Sequence, residues 1–186
     1  MGSRGTLQGG RMDILSEAQW EALPDTSELE LVDGIVRTRV SWGDVHNRMR
    51  ASLRNVLAAL APEGLIVTTN QEVRLAEGHR RRPDVLVVYD NALDLERWHL
   101  QPEEVVLAVE VVRPGSETTD RKHKHVEYAD ADISHYWRIE TMPGPVVHTY
   151  RLGESSHYLE TGLFRPGDLV SDPTLRWATF EVTAIA

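Results

Sequence analysis

Val105-Val106-Leu107-Ala108-Val109-Glu110-Val111-Val112 is an apolar run interrupted by a single carboxylate. It is apolar at odd and even positions alike, the pattern of a strand covered on both faces at the centre of a sheet. A second segment, Arg82 to Tyr89, has a similar centre in Val85-Leu86-Val87-Val88. Two adjacent buried strands imply a mixed sheet with helices packed on it. The fold class read from them is therefore α/β.

The rest of the chain is read outward from this pair. Ser16 caps a short amphipathic helix, Glu17 to Leu23, that Pro24 ends. Glu28 to Val32 and Ile35 to Val40 flank Asp33-Gly34, a two-residue hairpin signal. Val45, Met49, Leu53, Val56, Leu57 and Leu60 recur at helical spacing, and Pro62 and Gly64 stop that helix. Leu65 to Leu75 reads as one extended run, and Ala76 to His79 as a turn. After the central strands, Thr119 begins a polar helix through Ala129, with Asp120 in its first turn. Ile133 to Ile139 and Val146 to Arg151 read as a final hairpin around Pro143-Gly144. The segment after Gly153 is mixed and gives no firm element. With 186 residues, 41% of them hydrophobic, one domain over residues 12–186 is expected. Residues 1–11 are Gly/Ser/Arg-rich without an apolar h-region, and read as a disordered leader or tag-like segment.

Composition removes several function classes. The absence of cysteine excludes a disulfide scaffold, a thiolate zinc site and a thiol nucleophile, and fits a reducing, cytoplasmic compartment. No apolar run approaches the ~20 residues of a membrane span. Gly-rich phosphate loops and a Gly-x-Ser-x-Gly elbow are absent. The net charge of −9 argues against a non-specific nucleic-acid binder. It does not argue against an acidic metal site, whose carboxylates count as negative until a cation binds. The positive residues cluster as Arg80-Arg81-Arg82 and as Arg121, Lys122 and Lys124, with Arg113 between. They form either solvated faces or contacts to a phosphate backbone.

Glu110 is the sharpest chemical signal. A buried carboxylate costs several kcal/mol unless something compensates it. Either a neighbouring arginine pairs with it, or it shares a divalent metal with Asp84, which opens the other apolar strand. Two carboxylates on neighbouring strands are ligands that Mg²⁺ or Mn²⁺ prefers. Such an ion stabilises charge on a phosphate under attack and activates water. Lys124, on the helix after the Glu110 strand, is the candidate for a compact positive charge beside it. Asp120 and Lys124 are spaced i, i+4 and share a helix face, as do Lys124 and Tyr128. His123 and His125 flank Lys124 at a spacing that does not put them on one face. Tyr136 and Trp137 fit a core strand better than a base-stacking platform.

Arg82-Pro83-Asp84-Val85, Val109-Glu110-Val111-Val112, Asp120-Arg121, Lys124 with Tyr128-Ala129, and Tyr136-Trp137 together resemble the Uma-two family of endonucleases. That family belongs to the PD-(D/E)XK nuclease superfamily. Glu30-Leu31-Val32-Asp33-Gly34 is similar to the family's early hairpin, and His46 to a histidine of its first long helix. The resemblance spans residues 12 to 155. It implies a restriction-endonuclease-like core, a mixed central sheet flanked by helices. It implies ligation of Mg²⁺ (or Mn²⁺) by Asp84 and Glu110, with Lys124 completing the catalytic set. Glu30 is implied as a third acidic group, with His46 and Asp120 as auxiliaries. Nucleic acid, DNA foremost, is the expected substrate, and Arg80, Arg81, Arg82, Arg113 and Arg121 the expected backbone contacts. A homodimer is expected, because double-strand cleavage by small nucleases uses two sites related by symmetry. Two departures point elsewhere. The superfamily lysine two residues after the acidic one is Val112 here, and the family's common Ser is Arg113. With the net charge, they favour an alternative: a catalytically inactive nuclease fold with a binding or regulatory role.

Overall fold

The computed structural model describes residues 14–39, 43–93, 97–113 and 115–186. The expected leader over residues 1–11, and Val40 at the end of the expected hairpin, lie outside these residues.

Ser16 caps helix α1 (Glu17–Glu21): its hydroxyl accepts from the Gln19 amide, and the Gln19 side chain accepts from the Ser16 amide. Strands β1 (Leu29–Val32) and β2 (Ile35–Thr38) pair from Val32 opposite Ile35 outward. Their turn puts Asp33 (φ 53°) and Gly34 (φ 75°) in the left-handed region, as a two-residue hairpin demands. Helix α2 (Asp44–Leu60) buries Met49, Leu53 and Leu57, the spacing read from the sequence.

The expected single run from Leu65 to Leu75 is two strands in different sheets. β3 (Leu65–Thr68) and β4 (Glu72–Ala76) part at Asn70, whose φ of 59° turns the chain out of the extended region. There follow β5 (His79–Arg81), β6 (Val85–Tyr89), a short β7 (His99–Leu100) and β8 (Val105–Val111). The expected helix from Thr119 opens as a π-type turn over Thr119–His123 and becomes regular in α3 (Lys124–Asp130). The final hairpin is β9 (His135–Glu140) and β10 (Val146–Leu152). The unread tail supplies β11 (Tyr158–Phe164), β12 (Leu169–Val170) and β13 (Phe180–Glu181).

The strands form a six-stranded sheet, β11-β10-β9-β8-β6-β3, a five-stranded sheet, β2-β1-β5-β4-β7, and the small pair β12-β13. The first is mixed: β8 and β9 run parallel and its other neighbours antiparallel. As read from the sequence, β6 and β8 are adjacent and buried, but each has its own cover on each face. Val85, Val87, Leu107 and Val109 pack with Leu53 and Leu57 of α2 and with the C-terminal Phe180 and Ile185. Leu86, Val88 and Ala108 pack on the other face with Tyr128 and Ala129 of α3 and with Tyr136. Each fully buried Leu or Val of these layers contributes about 1.5–3 kcal/mol. Strand alternation then fixes the site. Glu110 shares the α3 face with Ala108, and Asp84 shares it with Leu86.

Candidate active site

Asp84 directly precedes β6, and its amide donates to the Val109 carbonyl at 3.0 Å. The pairing runs Leu86 opposite Ala108 and Val85 opposite Val109. Extended by one step, it sets Asp84 opposite Glu110 on the face toward α3. Both carboxylates are buried, Glu110 to 2% exposure.

Lys124 reaches this pair from the start of α3. Its Nζ lies 2.9 Å from Glu110 Oε2, 3.4 Å from Asp120 Oδ1 and 3.6 Å from Glu30 Oε1. The π-type turn precedes it directly: the Lys124 amide bonds back to the Thr119 carbonyl, five residues earlier. Such insertions re-aim side chains and recur at functional sites. Here Asp120 and Lys124 face the same carboxylates. Tyr128, one turn on, donates its hydroxyl to Glu110 Oε1 at 2.6 Å. Tyr136 donates to the Asp120 carbonyl at 2.7 Å.

On the other half of the pair, Asp84 Oδ2 accepts from the Val111 amide at 2.8 Å and faces His46 Nε2 at 3.1 Å. Its Oδ1 lies 3.4 Å from Arg39 Nη2. Glu30 accepts from Arg81 Nη1 at 2.8 Å and from the Arg82 amide at 3.1 Å. The structure thus brings Asp84, Glu110, Lys124, Glu30, His46 and Asp120 into one buried network. His46, read on the polar side of its helix, is buried against Asp84.

Electrostatics separates the two central carboxylates. Burial pushes the Glu110 carboxyl up to about 8, and the negative charges of Asp84, Asp120 and Glu30 add to that push beyond what Lys124 offsets. Burial also disfavours Asp84 as an anion, yet its hydrogen bond and attraction to His46, with the Lys124 charge and the Val111 amide, hold it below its ordinary value. Burial works against a charged Lys124, but Glu110, Glu30 and Asp120 outweigh it and raise its pKa above the ordinary lysine value. The acidic neighbours thus favour the charged form of Lys124.

A cleft of about 860 Å³ lies beside the network, lined by Lys124, Asp120, Glu30, Arg39 and Arg81, with Arg37, Arg113 and Lys122 among its other walls. It carries six cationic side chains against four carboxylates, the reverse of the chain's overall balance. The arginine triplet divides. Arg80 is buried between Glu17, Glu21 and Glu72, and Arg82 bonds Glu72, Thr26 and the Asn70 carbonyl. Arg81 is buried against Glu30 and Glu127. The triplet thus pairs inside the fold. Arg113 lines the cleft, and Arg121 lies at the surface in a two-bond pair with Glu140. His123 lines the cleft, while His125 meets the rings of Tyr136, Tyr150 and Tyr158. Tyr136 and Trp137 are core residues.

Sequence reading missed Arg39 and the hydroxyl of Tyr128. No pattern around Arg39 marks it. Tyr128 was placed on the Lys124 face, and only Glu110 lying across from that face gives its hydroxyl a partner.

Among the described residues no three His, Asp or Glu side chains form a ready metal cage. The donor chemistry nonetheless fits a hard divalent cation, since Mg²⁺ is commonly held by one or two carboxylates and completed by water and substrate phosphate. Asp84 Oδ1, with its long contact to Arg39, is the more loosely held oxygen of that residue. No helix among the described residues is long and apolar enough to cross a membrane.

The mixed sheet with its carboxylate pair places the molecule in a class, the restriction-endonuclease-like α/β fold. A solved structure titled as a putative nuclease belonging to DUF820, from Anabaena variabilis ATCC 29413, has this fold at 15% identity. Its TM-score is 0.72, over 92% of this chain and 97% of that one. The chain belongs to the Uma2 family, described as "putative restriction endonuclease", whose profile matches residues 17–183. No curated protein matches it.

Proposed function

We propose that this chain is a metal-dependent endonuclease that hydrolyses phosphodiester bonds in nucleic acid, DNA foremost. The observation that carries the reading is the Asp84–Glu110 pair, buried on one sheet face, with Lys124 2.9 Å from Glu110 beside a cationic cleft. Family membership supports it. Asp84 and Glu110 are the residues that would hold Mg²⁺ or Mn²⁺, and Glu30 is the third carboxylate of the network. Bound there, the ion supplies Lewis-acid stabilisation of the scissile phosphate and activation of water. Lys124, kept protonated by its acidic neighbours, offsets charge that builds on the phosphate or orients the attacking water. Tyr128 fixes the Glu110 carboxylate, and His46 with the Val111 amide fixes Asp84. Arg113 and Arg121 contact the strand backbone away from the scissile bond. A symmetric pair of copies would present one site to each strand of a duplex.

One observation favours a second reading, a nuclease fold that binds without cutting. Lys124 and Glu110 already satisfy each other, and Val112 stands where the superfamily carries its lysine. Calorimetric titration of Mn²⁺, then incubation with supercoiled and linear DNA, separates the two. Binding lost in Asp84→Ala, with nicking by wild type alone, supports the nuclease. Binding without nicking supports the second reading, and wild type that binds no Mn²⁺ even with a DNA duplex present defeats the metal site.

A further inference from the structure

The cleft beside the carboxylate network has to admit a polyanion. A nucleic-acid strand carries a negative charge at every phosphate, and the network adds its own carboxylates beneath it. The buried cations of the cleft are turned to those carboxylates. Lys124 faces Glu110, Asp120 and Glu30, Arg81 faces Glu30 and Glu127, and Arg39 faces Asp84. Two other cations of the lining differ. Arg37 on β2 and Lys122 in the π-type turn are exposed. Among the described residues, neither side chain takes part in a hydrogen bond or an ion pair. Each is a charge on the cleft wall that no carboxylate of the fold has claimed.

The backbone fixes where these charges stand. In the β1–β2 hairpin Arg37 lies directly opposite Glu30, so both side chains leave the same sheet face. Glu30 is already held by Arg81 and the Arg82 amide, and Arg37 carries its charge past the network to the cleft. Lys122 lies two residues before Lys124, in the turn that leads into α3. β2 is the edge of the five-stranded sheet, whereas α3 covers the six-stranded one. The two charges therefore reach one cleft from separate elements, one on the Glu30 side of the network and one on the Asp120 side. We propose that Arg37 and Lys122 are substrate-binding residues that flank the reaction, each contacting one backbone phosphate on either side of the phosphate at Asp84 and Glu110. The proposal rests on the nuclease reading above and adds to it the path of the strand, from the β2 edge across the carboxylate pair to the π-type turn. Arg37 meets its phosphate through the guanidinium fork, and Lys122 meets its own as a point charge. Such contacts set the register of the strand and carry no base preference.

The test compares wild type, Arg37→Gln, Lys122→Gln and the double variant. Arg176→Gln is the control of equal charge, since Arg176 is exposed and does not line the cleft. Affinity for a fluorescent DNA duplex is measured by anisotropy over a salt series, with Ca²⁺ standing in for the catalytic ion. Nicking of supercoiled DNA in Mn²⁺ is measured alongside. Both side chains are exposed, so every variant should keep the wild-type melting temperature. Each single variant is expected to bind the duplex about tenfold more weakly at low salt, with the salt slope reduced by about one. The double variant should lose about two units of slope, because two separate phosphates are released. Arg176→Gln should keep the wild-type slope. A single variant whose slope matches that of Arg176→Gln removes its residue from the strand. A double variant that loses only about one unit puts both residues on one phosphate. Either result overturns the flanking arrangement, and wild-type nicking then leaves the nuclease reading standing. Reduced slopes in a protein whose wild type never nicks keep the two contacts and turn the reading to the fold that binds without cutting. A wild type that does not bind the duplex overturns both.

Discussion

Arg80 and Arg81 are neighbours on β5, and strand alternation sends them into two ion clusters of opposite character. Around Arg80, charge and hydrogen bonding are matched. Glu72 accepts from Trp20, Arg80 and Arg82, and Glu17 accepts from Arg80 and the Gly78 amide. Burial pushes Glu17 up, but the hydrogen bonds from Arg80 and the Gly78 amide together with the charges of Arg80 and Arg74 outweigh it, and its carboxyl ends below its ordinary value. Around Arg81, Glu30, Asp120 and Glu110 converge on one lysine with Asp84 opposite Glu110, and burial with these neighbouring carboxylates drives the Glu110 carboxyl up to about 8. Burial and pairing alone mark neither as a site. What separates them is a buried carboxyl held above its ordinary range beside an open cleft, where a divalent cation would take the place of its proton.

The largest effects should fall on the matched cluster, and on stability. Arg80→Ala strands Glu72 and Glu17, and a broken buried pair costs about 3–5 kcal/mol. Glu72→Gln removes the acceptor of three donors and should cost about 1–3 kcal/mol. Glu110→Gln should behave differently. Its carboxyl is raised toward neutrality where Glu72 is held by three donors, so the neutral amide should cost less urea stability than Glu72→Gln does while removing Mn²⁺ binding. Equal destabilisation by Glu72→Gln and Glu110→Gln would erase the distinction.

pH sharpens it further. The Glu110 carboxyl lies above its ordinary 4.5, up to about 8, so the folded protein binds that proton more tightly than the unfolded chain does. The stability it contributes is complete below about pH 4.5 and is lost as pH rises through about 8. Mn²⁺ competes for the same oxygens, so its affinity should climb about tenfold per pH unit up to about 8 and then level off. A flat profile between pH 6 and 8 would show that Glu110 carries no proton for the metal to displace. Tyr128→Phe is the next step down. The hydroxyl donates to Glu110 Oε1 and orients it, so its loss should weaken Mn²⁺ binding about tenfold. Unchanged affinity would make Tyr128 a packing residue only.

How much of this was legible before the fold was known depends on the residue. Glu110 stood out because it interrupts an apolar strand, and the Asp33-Gly34 turn and the α2 spacing carry their structure in their own local pattern. The break at Asn70 did not show, because β-favouring residues flank it on both sides and one left-handed residue, an Asn, decides the path. Within the tail after Gly153, β12 and β13 were opaque because they are two residues each, too short for any period. The arginine triplet misled for a readable reason. Alternation along β5 turns adjacent side chains to opposite faces, and carboxylates wait on both. Arg39 carried no signal, since its approach to Asp84 joins residues 45 apart in the sequence.

Arg121 provides the smallest effect and the cleanest control. Its two bonds to Glu140, at 2.9 and 2.7 Å, resemble those of the buried arginines, yet 48% of its side chain meets solvent. Water and salt screen such a pair, so Arg121→Ala should change stability by less than ~0.5 kcal/mol. Its charge still reaches a passing phosphate backbone, so duplex binding should lose about one unit of salt slope, with Mn²⁺ affinity untouched. The same pair geometry thus yields a stability effect at Arg80 and a binding effect at Arg121, because burial sets what the charge is free to do. A stability loss at Arg121 as large as that at Arg80 would show that bond geometry, and not burial, governs these arginines.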